Sequence, residues 1–176
     1  MTKKIMSNQM LGQCFGLAIR EFEFTVPSDY KHDTQLDIFA KKTKKRITCY
    51  FNDALTSKNF AKATNKLEPG KTYNAKIFPI LKTVESEECM NFLTEQNAIL
   101  VCGQGVTLLQ EQKADEFPVG KGIVSFDQKE ALWTDSGGRH RVPFVHRHLD
   151  GSWEFHLGSF ERSWYGGYCL LCVCEL

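Results

Sequence analysis

From Trp133 to Cys174 the chain reads WTDSGGRHRVPFVHRHLDGSWEFHLGSFERSWYGGYCLLCVC, and the punctuation of this stretch decides the fold. It holds all three tryptophans, four of the five histidines and three of the seven cysteines. Two turn signals, Asp135-Ser136-Gly137-Gly138 and Asp150-Gly151, divide it into short runs in which apolar and polar residues alternate. That pattern is how hairpins read when one face of a sheet is buried, so the stretch is expected to form an antiparallel β-meander. A two-residue turn at Asp150-Gly151 would set His148 opposite Trp153 and His146 opposite Phe155, leaving His156 on the other face.

Upstream, Phe22, Phe24 and Val26 alternate with Glu21, Glu23 and Thr25 as a strand that stops at Pro27. The apolar residues 11–20 before it read as a short helix or loop. Leu36 and Ile38 on one side, and Ile47, Cys49 and Phe51 on the other, flank the basic run Lys41 to Arg46, which reads as the exposed tip of a hairpin. Asn52-Asp53 offers an N-cap to a helix over 54–67, ended by Pro69-Gly70. A strand over 72–81 follows, with Tyr73, Ala75 and Ile77 on one face and Pro79 marking an edge or an end. Ser86 is placed to cap a helix reaching residue 97. Gly103-Gln104-Gly105 reads as a tight turn before a helix over 106–117, and residues 122–126 return as a strand. This order predicts an α+β fold, with a mainly antiparallel sheet, about three helices in the middle of the chain and the meander at its C-terminal end.

Residues 1–176 are long enough for a single domain with its own core. Hydrophobic residues make up 42% and charged residues 24%, the balance of a folded globular chain. A formal charge of +1 supplies no global field for nucleic acid or an anionic membrane, so neither is an expected partner. No window approaches the ~18 consecutive apolar residues of a spanning helix. No secretory signal is expected either, because Ser7, Asn8 and Gln9 interrupt any apolar core behind the basic start. Seven cysteines, an odd number set mostly in apolar surroundings, point to reduced thiols and a cytoplasmic location.

The segment Leu11-Gly12-Gln13-Cys14-Phe15-Gly16-Leu17-Ala18 resembles the nucleophile segment of papain-like and calpain-like cysteine proteases. The resemblance implies that Cys14 opens a helix whose dipole favours the thiolate, with His146 or His148 as the base. Arg162-Ser163-Trp164 stands where that family carries Asn-Ser-Trp, and an arginine cannot accept the imidazole N–H. Gln9 or Gln13 would stand in for the oxyanion-hole glutamine. A thiol hydrolase or transferase is the enzyme class this implies.

Two further groups permit binding chemistry. His146 and His148 share a strand face and offer two metal ligands, and a carboxylate or cysteine from elsewhere would complete a site. With Arg139, Arg141 or Arg147 close by, protonation of that pair would be opposed. In Cys169-Leu170-Leu171-Cys172-Val173-Cys174, strand alternation puts Cys172 and Cys174 on one face and Cys169 on the other, so three thiolates do not converge on a metal. Gly103-Gln104-Gly105 lacks the third glycine of a dinucleotide fingerprint, and no cofactor is expected. The gathering of Arg139, His140, Arg147, Trp153, His156, Arg162, Trp164 and Tyr165 in one region leads to a first expectation of a non-enzymatic module that binds another protein, since Trp, Tyr and Arg dominate binding hot spots.

Overall fold

The computed structural model describes residues 14–46 and 49–176. The α+β expectation holds: among the described residues, three α-helices flank one mainly antiparallel sheet of eight strands. The strands are β1 (Arg20–Thr25), β2 (Cys49–Phe51), β3 (Thr72–Pro79), β4 (Val84–Glu85), β5 (Lys121–Val124), β6 (Trp133–Thr134), β7 (His140–Arg147), β8 (Trp153–Ser159), β9 (Ser163–Trp164) and β10 (Tyr168–Glu175). The helices are α1 (Gln35–Thr43), α2 (Ser86–Glu95) and α3 (Cys102–Lys113).

Across the sheet the order is β1, β3, β10, β5, β7, β8, β2, with β6 also on β7, while β4 and β9 form a separate pair. β6, β7 and β8 follow one another as a meander. β10 crosses back to lie antiparallel to β3 and parallel to β5, so the apolar terminal strand Tyr168–Glu175 sits at the centre of the sheet. Its run of buried residues suits a strand covered on both faces.

One face packs against α1 and α3. Phe39 of α1 meets Phe155 of β8 at 4.9 Å and Phe51 of β2 at 6.0 Å, and Tyr73, Ala75 and Ile77 are buried, as their alternation predicted. Among the described residues, the opposite face is covered only in part. Phe92 of α2 stacks on Phe15 and meets Phe78 of β3 edge-on at 5.0 Å, and Trp164 of β9 lies buried against Phe126 and Tyr168. Beyond Trp164, the β7–β8–β2 part of this face carries half-exposed Phe144, His146, Glu154 and His156 and exposed Tyr50.

Four local expectations are corrected. Residues 35–43 form α1, so the basic run from Lys41 caps the end of a helix, where positive charge suits the dipole. Residues 54–67 form turns in place of a helix, because polar side chains capture the main chain: Asn52 Oδ1 accepts from Ala54 N–H at 3.0 Å, Thr56 Oγ1 from Asn59 N–H at 3.2 Å, and Asn59 Nδ2 donates to the Ala54 carbonyl at 2.8 Å. Leu55, Phe60 and Leu67 anchor these turns in the core. Gly103 and Gly105 lie inside α3, where they permit close packing: a Cβ on Gly105 would sit 2.3 Å from the Val101 side chain. At α2 the cap is Glu85 with Glu88 in a capping box, and Ser86 instead accepts the Trp164 indole N–H at 2.8 Å.

Candidate metal centre

The β7–β8 connection determines the site. His148 N–H donates to the Ser152 carbonyl at 2.9 Å and Gly151 N–H to the His148 carbonyl at 3.0 Å, so three residues, Leu149, Asp150 and Gly151, make the turn. Asp150 Oδ1 accepts from both the Ser152 amide, at 2.9 Å, and its hydroxyl, at 2.6 Å, while Gly151 takes φ +83°, the left-handed position that closes three-residue hairpins. The extra loop residue shifts the register by one from the sequence-based expectation. Arg147 faces Trp153, His146 faces Glu154 and Phe144 faces His156. A slip of one residue turns a whole strand over, so His156 lies on the same face as His146 and His148, together with Glu154.

His146, His148 and Glu154 each present a donor atom, and these three atoms all lie within 4.8 Å of one another. His148 Nε2 stands 3.1 Å from Glu154 Oε2, and His156 Nε2 approaches the same oxygen at 3.1 Å. The His146 and His148 ring centres are 4.3 Å apart, and His146 Nδ1 is buried with no hydrogen-bond partner among the described residues. A tetrahedral ion with bonds of about 2.0–2.1 Å holds its ligand atoms roughly 3.3 Å apart, so the His148–Glu154 spacing already matches coordination and His146 has only a short distance to close. Tyr50, next to Glu154 across the β2–β8 pairing, covers His156 with a ring separation of 4.6 Å, and Phe144 stacks on its other side at 5.4 Å.

Charge in the cluster is balanced by contact. Burial pushes the Glu154 carboxyl up, yet hydrogen bonds from His148 and His156 outweigh it and hold the pKa below the ordinary range. Burial, then the neighbouring His148 and His156, lowers His146, with Glu154 acting in the opposite sense. The arginines are not the cause. Arg147 points to the other face, where it donates to the carbonyls of Ala114 and Phe117 and lies over Trp153 at 5.6 Å, and Arg141 pairs with Asp135.

The other residues singled out from sequence are dispersed. Trp164 is fully buried, Trp133 and Trp153 are half-buried, and Tyr165 is 55% exposed. His140 pairs with Glu161 at 2.7 Å, at the end of β7 away from the cluster. Arg139 is exposed, and Arg162 lies over the Trp164 ring at 4.2 Å. Cys14 is buried, and the helix that the protease resemblance implies beyond it is absent. Phe15 bridges to Ile80, and Gly16 N–H donates to the Pro79 carbonyl at 3.0 Å. From Phe15 the ladder runs through Ile80, Tyr168 and Gly122 to His146, four strand spacings or roughly 19 Å, so the structure does not bring Cys14 together with His146 or His148. Gln9 and Gln13 lie outside the described residues. Cys172 and Cys174 do share a face, with sulfurs 3.5 Å apart, and all seven cysteines are free thiols.

Glu154 is the candidate ligand that the sequence did not single out. The signal was its i, i+2 spacing to His156 on β8, which becomes informative only once the loop register is known. No protein-family model, no curated protein and no solved structure matches the chain.

Proposed function

We propose that the protein binds a divalent transition-metal ion of the zinc class on the uncovered part of its sheet, through His146, His148 and Glu154. The observation that carries this reading is the convergence of three donors from two adjacent strands within 4.8 Å. Two imidazoles and a carboxylate suit zinc better than magnesium or calcium, which prefer oxygen alone. Three protein ligands leave a fourth position to water or a ligand. His156, bonded to Glu154, steadies the carboxylate, as partners of metal ligands commonly do. Zinc added to metal-free protein should raise the melting temperature of the wild type and leave a His146→Gln/His148→Gln double variant unmoved. His156→Gln should weaken zinc affinity by roughly tenfold or more, as changes beside metal ligands do. A flat zinc titration of the wild type, or the same shift in the double variant, removes the proposal.

A protein partner is the second reading, and one feature favours it. β2 pairs with Trp153–Phe155, so among the described residues strand β8 has a neighbouring strand on one side only from His156 to Ser159. An open edge of this kind accepts an added strand. Affinity capture from the native cell with the wild type and Leu157→Pro, which removes a main-chain donor, tests it: a partner retained equally by both variants is not held by this edge. The free thiols agree with a reducing compartment such as the cytoplasm.

A further inference from the structure

Beside the open edge of β8 lies a cleft of about 420 Å3 lined by Arg139, Arg141, Arg162, Glu161, Leu157 and Gly158. Its two neighbouring carboxylates are already engaged. Asp135 takes Arg141 and the amides of Gly137 and Arg139. Glu161 takes His140, Ser159 and Lys129, and these hydrogen bonds hold its carboxyl at about 2 although burial pushes it up. Arg162 is left over. Its guanidinium lies between the rings of Trp164 at 4.2 Å, Tyr168 at 5.1 Å and Phe144 at 5.6 Å, and its Nε and Nη2 are buried with no hydrogen-bond partner among the described residues. The strand makes room for it: a Cβ on Gly158 would stand 3.0 Å from Arg162 Nη2 and 2.6 Å from the Trp164 ring.

Aromatic faces attract a cation but offer no lone pairs to its N–H groups, so a half-buried guanidinium among them keeps an unmet need for an anion. Arg139, exposed and with no ion-pair partner among the described residues, adds a second cation at the mouth of the cleft. We propose that this cleft binds an oxyanion of the phosphate class, free or carried on a small molecule, with Arg162 as its charge partner and Arg139 as an outer contact. Guanidinium groups approaching from several directions suit a tetrahedral oxyanion better than a single planar carboxylate. The site is distinct from the candidate metal centre, since none of the residues lining the cleft is among His146, His148 and Glu154.

The test is a titration of the intact chain in the presence of EDTA, which removes any contribution from metal, with phosphate, acetate and chloride at matched ionic strength. Phosphate should raise the melting temperature above the chloride control and shift the Arg162 Nε–H resonance. Arg162→Met keeps the packing against Trp164 and Tyr168 without the charge. It should melt no lower than the wild type in chloride and lose the phosphate response, because it deletes an uncompensated cation. Arg139→Gln, a surface change, should weaken phosphate binding by up to roughly fivefold. If Arg162→Met fails to fold, the Arg162 resonance and Arg139→Gln still decide. The proposal is overturned if phosphate shifts neither the melt nor the resonance, if Arg162→Met keeps the full response, or if acetate acts as strongly as phosphate.

Discussion

His146 shows how a single side chain is set by what faces it. Its neighbours are His148, His156 and Glu154, and burial leads the causes that lower its pKa from 6.5. A folded-state value below the unfolded one means that the unfolded chain takes up the proton more readily. Stability should therefore fall as pH drops through the unfolded value of about 6.5 and level off below the folded one. Metal-free wild type melted between pH 8 and pH 5 should show this slope, and His146→Gln should flatten it; parallel slopes would show that His146 is uncoupled from folding. Zinc affinity should weaken over the same range, because protons compete for the imidazoles. Gly158 is the second sensitive residue. Gly158→Ala drives a methyl group into Trp164 and Arg162 and should cost about 1–3 kcal/mol, read as a lower denaturant midpoint.

Among the elements, the β7–β8 hairpin concentrates the functional consequence in one loop residue. Leu149 is 88% exposed and contributes little packing, yet its place in the turn, outside the strand pairing, sets Glu154 opposite His146. Because Leu149 is looped out and not paired, deleting it would leave Asp150-Gly151 as a two-residue turn between the same residues, His148 and Ser152, and keep Glu154 opposite His146. The deletion variant is expected to fold and to keep its zinc response, whereas a pairing of Leu149 with Ser152 in the strand would have made the deletion turn β8 over. A deletion variant that folds but has lost its zinc response would contradict the register argument. Gly151→Ala is the milder probe: at φ +83° a side chain should cost roughly 1–2 kcal/mol without moving the ligands. The 54–67 segment teaches the complementary lesson, since its apolar spacing suited a helix while Asn52, Thr56 and Asn59 stabilised turns.

Across the fold, β10 lies between β3 and β5, and its central place explains the thiol chemistry. Cys169 and Cys172 are buried there, as are Cys14, Cys89 and Cys102 elsewhere, while Cys49 and Cys174 are half-buried. Burial pushes Cys169 up to about 11 and raises Cys89, Cys102 and Cys172 as well. A thiol reagent at neutral pH should reach Cys49 and Cys174 first and the buried five only on unfolding. Preferential labelling of Cys14 would contradict its burial and restore the nucleophile implied by the protease resemblance.

Much of this was legible in the chain, because alternation and turn residues act locally. The strand at 20–25, the buried face of Tyr73, Ala75 and Ile77, the Asp135 turn and the α+β class all follow from neighbours within a few residues. The candidate metal centre was only half legible: His146 and His148 share a face by strand geometry alone. Glu154 and His156 join them through long-range pairing, where Asp150-Gly151 is compatible with two loop lengths and the burial of Phe155 against Phe39 and Phe51 selects one. The separation of Cys14 from the histidines likewise depends on strand order across the sheet, a property of packing between distant segments that no local pattern encodes.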